Sequence, residues 1–202
     1  MNYIKTYLVL ILLSVLAITN CKRETGDNQP IQLDIKVDSS KIGPLLEDSI
    51  LAISFHPPFL WENYNTSLSD RIESTKNMDR SQKRKFMISP KHIFFKYGTN
   101  SILSVGEITS LDTSVSKEDR ISDYINMITD KSTSEKISKA DYLKDGILLR
   151  HIQTEVENLV SSKYIFKSRS GKIIQFDYTF RKQNENADKP FIQSSLASIK
   201  IN

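Results

Sequence analysis

The stretch KIIQFDYTFR, residues 172–181, decides the fold. Ile174, Phe176, Tyr178 and Phe180 fall on one side of a two-residue period, and Gln175, Asp177 and Thr179 on the other. That period belongs to a strand with one face packed. Four bulky side chains in a row require a layer to cover them. Just upstream, Ser170-Gly171 separates this strand from Tyr164–Phe166, which predicts a hairpin. Further back, Asp145-Gly146 is a type I′ turn dipeptide leading into a strand from Ile147 to about Val156. Downstream, Asp188 is placed to cap a helix with Pro190 in its first turn and Phe191, Ile192, Ser195, Leu196 and Ile199 on its buried face.

The same reading extends toward the N-terminus. Ile31 to Val37 alternates apolar and polar residues and predicts the opening strand, and Gly43-Pro44 marks a turn. Ile50 to Phe55 predicts a second strand, stopped by His56-Pro57-Pro58. Leu60, Trp61, Tyr64, Leu68 and Ile72 recur at helical spacing, so the pattern predicts a helix over residues 58–77. Phe86 to Ile108 reads as two strands around Gly98-Thr99-Asn100. Ser116 with Asp119 resembles a capping box, ahead of a helical stripe at Ile121, Tyr124, Ile125 and Ile128. Hairpins dominate this order, so residues 31–202 are expected to form a single α+β domain with a largely antiparallel sheet packed by helices.

Residues 1–20 have the layout of an export signal. Lys5 charges the short leading region, and Tyr7 to Ile18 is apolar except for Ser14. That run is shorter than the roughly 20 residues needed to span a bilayer. It ends in Ile18-Thr19-Asn20-Cys21, which resembles a bacterial lipobox, with Asn20 standing where Gly, Ala or Ser is usual. The resemblance implies cleavage before Cys21, the single cysteine of the chain, and acylation of its thiol. Residues 21–30 would then be the lipidated cysteine and a polar tether. Lys22, where an inner-membrane retention signal would have Asp, resembles the pattern of outer-membrane lipoproteins.

Removal of residues 1–20 leaves 182 of the 202 residues and lowers the net charge from +4 to +3, because only Lys5 is lost. A chain of this length buries roughly 70% of its unfolded surface. So small a charge gives no sign of a nucleic-acid partner. With Cys21 committed to lipid, no cysteine remains for disulfides or cysteine metal sites.

Chemistry-bearing motifs are sparse. His56 reads as the end of a strand, and His92 lies beside one without a neighbouring carboxylate in sequence. His151, Gln153 and Glu155 share one strand face, so His151 and Glu155 supply two metal ligands where zinc needs three or four; a solvated sheet face is the plainer reading. Ser104 in Ser104-Val105-Gly106-Glu107 has no base near it in sequence. There is no phosphate loop, dinucleotide fingerprint or His-Glu-x-x-His helix, so no cofactor and no metal is expected. Arg80, Lys83, Arg84 and Lys85 form the densest basic cluster, a solvated loop that is also suited to anionic lipid headgroups. Trp61 and the Phe94-Phe95 pair read as core.

The early helix around Trp61, the strand Ile173–Phe180 and the ending Phe191 to Ile199 together resemble the layout of the PsbP-like families, which include DcrB-type lipoproteins. The resemblance covers most of residues 31–202. It implies an α/β/α sandwich and a non-catalytic accessory or binding role. The expected function is a lipid-anchored cell-envelope protein that binds or assembles with an envelope protein. A carrier of a small apolar ligand and a hydrolase with a site assembled across the chain are the alternatives. An exposed apolar patch favours the first, an enclosed apolar pocket the second, and a histidine within hydrogen-bond reach of a serine or carboxylate in a cleft the third.

Overall fold

The computed structural model describes residues 29–64, 85–111, 119–130 and 136–202. Its elements are β1 (Ile31–Gln32), β2 (Leu46–Asp48), β3 (Ile53–Phe55), β4 (Glu62–Asn63), β5 (Phe86–Lys96), β6 (Ser101–Ser110), α1 (Asp119–Asp130), β7 (Lys136–Lys144), β8 (Ile147–Val156), β9 (Leu159–Lys167), β10 (Ile173–Arg181), α2 (Glu185–Ala197) and β11 (Lys200–Ile201). Eight strands form one sheet in the order β1-β7-β8-β9-β10-β6-β5-β4. All its pairings are antiparallel except the two-residue parallel contact of β1 with β7. A small second sheet runs β11-β3-β2.

Strand β10 is central, and its alternation sorts the two cores. Ile174, Phe176, Tyr178 and Phe180 pack with Ile192 and Leu196 of α2 and with Ile53 and Phe55 of the small sheet. The opposite face is covered too. Ile173 packs there with Ile108, Ile165 and Phe86 against Tyr124 and Ile125 of α1. Tyr124 donates to Gln175 Oε1 at 2.7 Å, so this polar member of β10 is buried and satisfied. One helix on each face gives the α+β class with a largely antiparallel sheet and the layered sandwich expected. Phe55, Phe166 and Phe176 are wholly withdrawn from water, and each contributes on the order of 2 kcal/mol.

The turns follow their residues. Asp145 and Gly146 both have positive φ, 50° and 79°, as a type I′ hairpin requires. Gly98 and Asn100 supply the left-handed positions between β5 and β6.

Several expectations need correcting. The opening strand keeps its ladder only at Ile31–Gln32; after Leu33 donates to Leu143 O at 2.8 Å the chain leaves the sheet. The second strand begins at Ile53 rather than Ile50, because Ala52 turns at φ 54°. The helix expected over 58–77 is absent from its described part, residues 58–64. There Gly43 N bonds Pro57 O, Phe59 N bonds Lys41 O, and Pro58 bridges Ile42. These backbone bonds hold the segment beside residues 41–43, and proline supplies no donor for a helix. The remainder of that stretch, and Ser116, lie outside the described residues. Asp188 does not cap α2. The helix begins at Glu185, a turn earlier, so Asp188 sits inside it, fully buried.

Candidate functional site

Helix α2 does not seal completely against its face of the large sheet, and a pocket of about 360 Å³ remains between them. Strand β8 places His151 and Gln153 on this face. The β8–β9 register puts Tyr164 opposite His151 and Ser162 opposite Gln153. His151 and Ser162 are therefore diagonal neighbours on one face, and Nε2 of the imidazole lies 2.8 Å from Ser162 Oγ. The His151 ring stacks on Tyr164 with centroids 4.5 Å apart and planes 16° from parallel. Tyr142 of β7 closes the other side at 5.8 Å. Ile192 and Leu196 of α2 and Phe180 of β10 form the apolar wall. Leu33 and Ile35, from the segment that leaves the sheet after β1, form a roof, with Glu185 and Lys189 at the rim.

Burial pushes the His151 imidazole down to about 4, so at neutral pH it is uncharged, one nitrogen a donor and the other an acceptor. Burial also raises the Tyr164 phenol, against the lowering bond with Ser162 and with a further rise from Tyr142. The pocket thus offers hydrogen-bonding groups that carry no charge, inside an aromatic and aliphatic enclosure. Its floor resists a charged occupant, because the charged side chains of the lining, Glu185 and Lys189, stand at the rim. A serine and a histidine at this distance also make the pair needed for nucleophilic chemistry. Two features weaken that use. The imidazole is a poor base, and among the described residues no carboxylate bonds its second nitrogen.

His151 therefore lies half-buried in a cleft between α2 and the sheet, not on a solvated sheet face. Glu155 does not join it. Four positions along a strand separate the two by about 13 Å, and Glu155 pairs with Lys182. Among the described residues no cluster of three or more His, Cys, Asp and Glu could hold a metal. His92, read as lacking a carboxylate, has one: Asp48 Oδ2 lies 2.7 Å from its Nε2. Burial would raise the Asp48 carboxyl, but the Leu51 backbone N–H and His92 outweigh it and hold the carboxyl below its usual range. His56 follows β3 and bonds Gly43 O through Nδ1 at 2.8 Å. Ser104 sits in β6 opposite Ile93 and Asp177, and no bond to a histidine is seen. Trp61 and Phe94 are core, whereas Phe95 is half-buried and meets Tyr97 edge-on. Cys21, Arg80, Lys83 and Arg84 lie outside the described residues. Lys85 is exposed just before β5, where its carbonyl accepts from Leu111 N.

Ser162, Tyr142 and Tyr164 were not singled out from the sequence. The signal was arithmetic. With Val156 opposite Leu159, every β8–β9 pair sums to one value, and the partners of His151 follow.

No family model and no curated protein matches the chain. Among solved structures, the chain is similar to cyanobacterial PsbP (CyanoP) from Synechocystis sp. PCC 6803. That match has 12% identity and a TM-score of 0.48, and covers 80% of this chain and 94% of that one. It is similar to PA94 from Pseudomonas aeruginosa, a protein of unknown function, at 10% identity and a TM-score of 0.40, over 68% and 94% of the two chains. It is also similar to the Ran-binding protein Mog1p of Saccharomyces cerevisiae at 8% identity and a TM-score of 0.44, over 79% and 96%. The likeness is one of chain layout, and no residue role is carried over from it.

Proposed function

We propose that this protein is a lipid-anchored envelope protein whose α+β domain acts by binding, and that its site is the pocket between α2 and the sheet. The observation that carries the binding role is the His151–Ser162–Tyr164 group: uncharged hydrogen-bonding atoms at the floor of a cleft walled by Leu33, Ile35, Phe180, Ile192 and Leu196. Such a lining selects an uncharged, partly apolar molecule with one polar group. Of the binding roles weighed from the sequence, a cleft with an aromatic and aliphatic wall favours a carrier over a pure assembly partner. An envelope protein remains the natural recipient of its cargo. The anchor rests on the lipobox-like run ending at Cys21 and the apolar segment before it. Acyl chains contributing about 0.8 kcal/mol per buried CH₂ would hold the domain at a membrane, with the outer membrane the expected destination.

Native mass spectrometry of the full chain released from its membrane tests the binding role. A small neutral adduct should accompany the wild type and vanish in Ile192→Trp, which fills the pocket. An adduct-free wild type, or equal adducts in both, would refute it. Intact mass beside Cys21→Ala tests the anchor. A chain beginning at Cys21 plus acyl chains is expected, whereas an unmodified chain retaining residues 1–20 would remove it.

The His151–Ser162 contact is also what the hydrolase alternative requires. If that alternative holds, Ser162→Ala and His151→Ala abolish turnover of a p-nitrophenyl ester while leaving the fold intact. Under the binding reading the wild type shows no turnover above buffer.

A further inference from the structure

A second cleft, of about 670 Å³, opens at the end of the sheet where the β7–β8 and β9–β10 turns meet β11 and the start of α1. Its charge is one-sided. Arg150, Lys167, Arg169 and Lys200 line it, drawn from three different strands and a turn that sequence distance would not bring together. Among the described lining residues Asp145 is the one acid, and it is already paired with Lys144 at 2.6 Å. Lys144 is held in that place by a second bond to Ile199 O at 2.9 Å. Among the described residues, Arg150, Arg169 and Lys200 have no ion-pair partner; Arg150 donates to Ser122 Oγ at 2.9 Å, which fixes the guanidinium at the cleft wall. Between the cations the lining is apolar: Ile121, Ile147, Leu148 and Ile201. Leu148 is exposed there.

Cations without partners attract an anion, and apolar surface between them excludes water from the contact. A sugar phosphate has no use for the apolar part, and the described lining holds no aromatic ring on which the base of a nucleotide would stack. A phosphate ester carrying hydrocarbon uses both. We propose that this cleft binds the phosphate headgroup of an anionic phospholipid, with the first methylenes of the lipid laid along Ile147 and Leu148. Only the choice of a membrane lipid as the source rests on the proposed anchoring. The cleft chemistry stands on the residues named. The ten residues from Cys21 to the start of β1 span at most about 35 Å, so an anchored domain can bring this end of the sheet to the headgroup layer. Lys85, exposed before β5, lies at the same end, since Phe86 pairs with Ser110 and Ile108 with Ile173.

The test uses short-chain lipids that stay monomeric, titrated into the full chain in a neutral detergent and followed by calorimetry. Dihexanoyl phosphatidylglycerol should bind saturably and at least about 10-fold more tightly than dihexanoyl phosphatidylcholine. The Arg169→Gln/Lys200→Gln variant should bind it about 30-fold more weakly with an unchanged melting curve. Should the double variant melt early, Lys200→Gln alone is expected to weaken binding about 5-fold. Equal binding of the two lipids, or no effect of the substitutions, would overturn the proposal. Inorganic phosphate binding as tightly as the glycerol lipid would overturn the lipid assignment and leave a free-anion site. Because the titration needs no acyl anchor, it fails or succeeds independently of the Cys21 mass measurement.

Discussion

Replacing Asp188 tests whether α2 is held to the sheet by charge as well as by its apolar face. The Asp188 carboxylate is fully buried; it accepts from Ser101 Oγ at 2.5 Å and from Lys96 Nζ at 2.6 Å. Both donors belong to the β5–β6 hairpin, so three side chains clamp the helix to one end of the sheet. In Asp188→Ala the hydroxyl of Ser101 keeps Thr99 Oγ1 at 3.0 Å, but the ammonium loses its counter-ion. Breaking a buried pair from one side costs 3–5 kcal/mol when the orphaned charge is trapped. Lys96 keeps 21% of its side chain exposed and lies 5.3 Å from the Phe191 ring, so part of its charge finds water and the ring face. A loss of about 3 kcal/mol is therefore expected, a fall in melting temperature of roughly 6–12 °C for a domain of this size. The assay is urea unfolding of wild type, Asp188→Ala, Lys96→Met and the double variant. A coupling energy of about 1–3 kcal/mol should appear in the cycle. A loss below about 1 kcal/mol for Asp188→Ala, or simple additivity, would show that the apolar face of α2 carries the docking alone.

Three further outcomes follow from particular residues. His151 has a folded value of about 4 against an ordinary 6.5, so the unfolded chain binds the extra proton. The stability this residue permits is complete above about pH 6.5 and is lost as pH falls toward 4, by on the order of 3 kcal/mol; His151→Phe should flatten unfolding free energy across that window, and an unchanged slope would refute the buried neutral imidazole. A Cβ on Gly106 would stand 2.5 Å from Ser89 O and 2.9 Å from Pro90 Cα, at the bulge between Pro90 and His92. Gly106→Ala should cost about 2–3 kcal/mol by chemical denaturation, against near-neutrality if the bulge can shift. Leu60 has φ 63° in the turn closed by Trp61 N and Pro58 O, and its side chain is 69% exposed. Leu60→Gly should raise stability by about 1 kcal/mol, and a loss would show that the leucine makes contacts outweighing its strain.

The parts of the fold legible in the sequence were those where a local rule and the tertiary structure agree. The 172–181 alternation, the Asp145-Gly146 turn and the α1 stripe each carry their own geometry. The failures lie where backbone partners far along the chain decide. Residues 58–64 have helical spacing, yet Lys41 O captures the Phe59 N–H and Gly43 N the carbonyl of Pro57 just before them. Strands β2 and β11 are too short to show a period and exist because they pair with β3. Asp188 has the chemistry of a cap but meets Lys96 and Ser101 across the sheet. The pocket was legible only by half. His151 stood out, while Ser162 and Tyr164 needed the β8–β9 register, and the Glu157-Asn158 tip that sets it lacks the usual turn glycine.

The roof over the pocket has a mechanical side. Leu33 and Ile35 follow β1 directly, and β1 is stitched to β7 by two residue pairs, whereas β7 to β10 are joined along nearly their whole lengths. A pull entering through the chain ahead of Ile31 meets a seam of only two residue pairs first. Parting of that seam would free Leu33 and Ile35 while β7 to β10 stay joined. The segment that leads into the sheet and the residues that roof the pocket are consecutive in the chain, so strain on the first reaches the second directly.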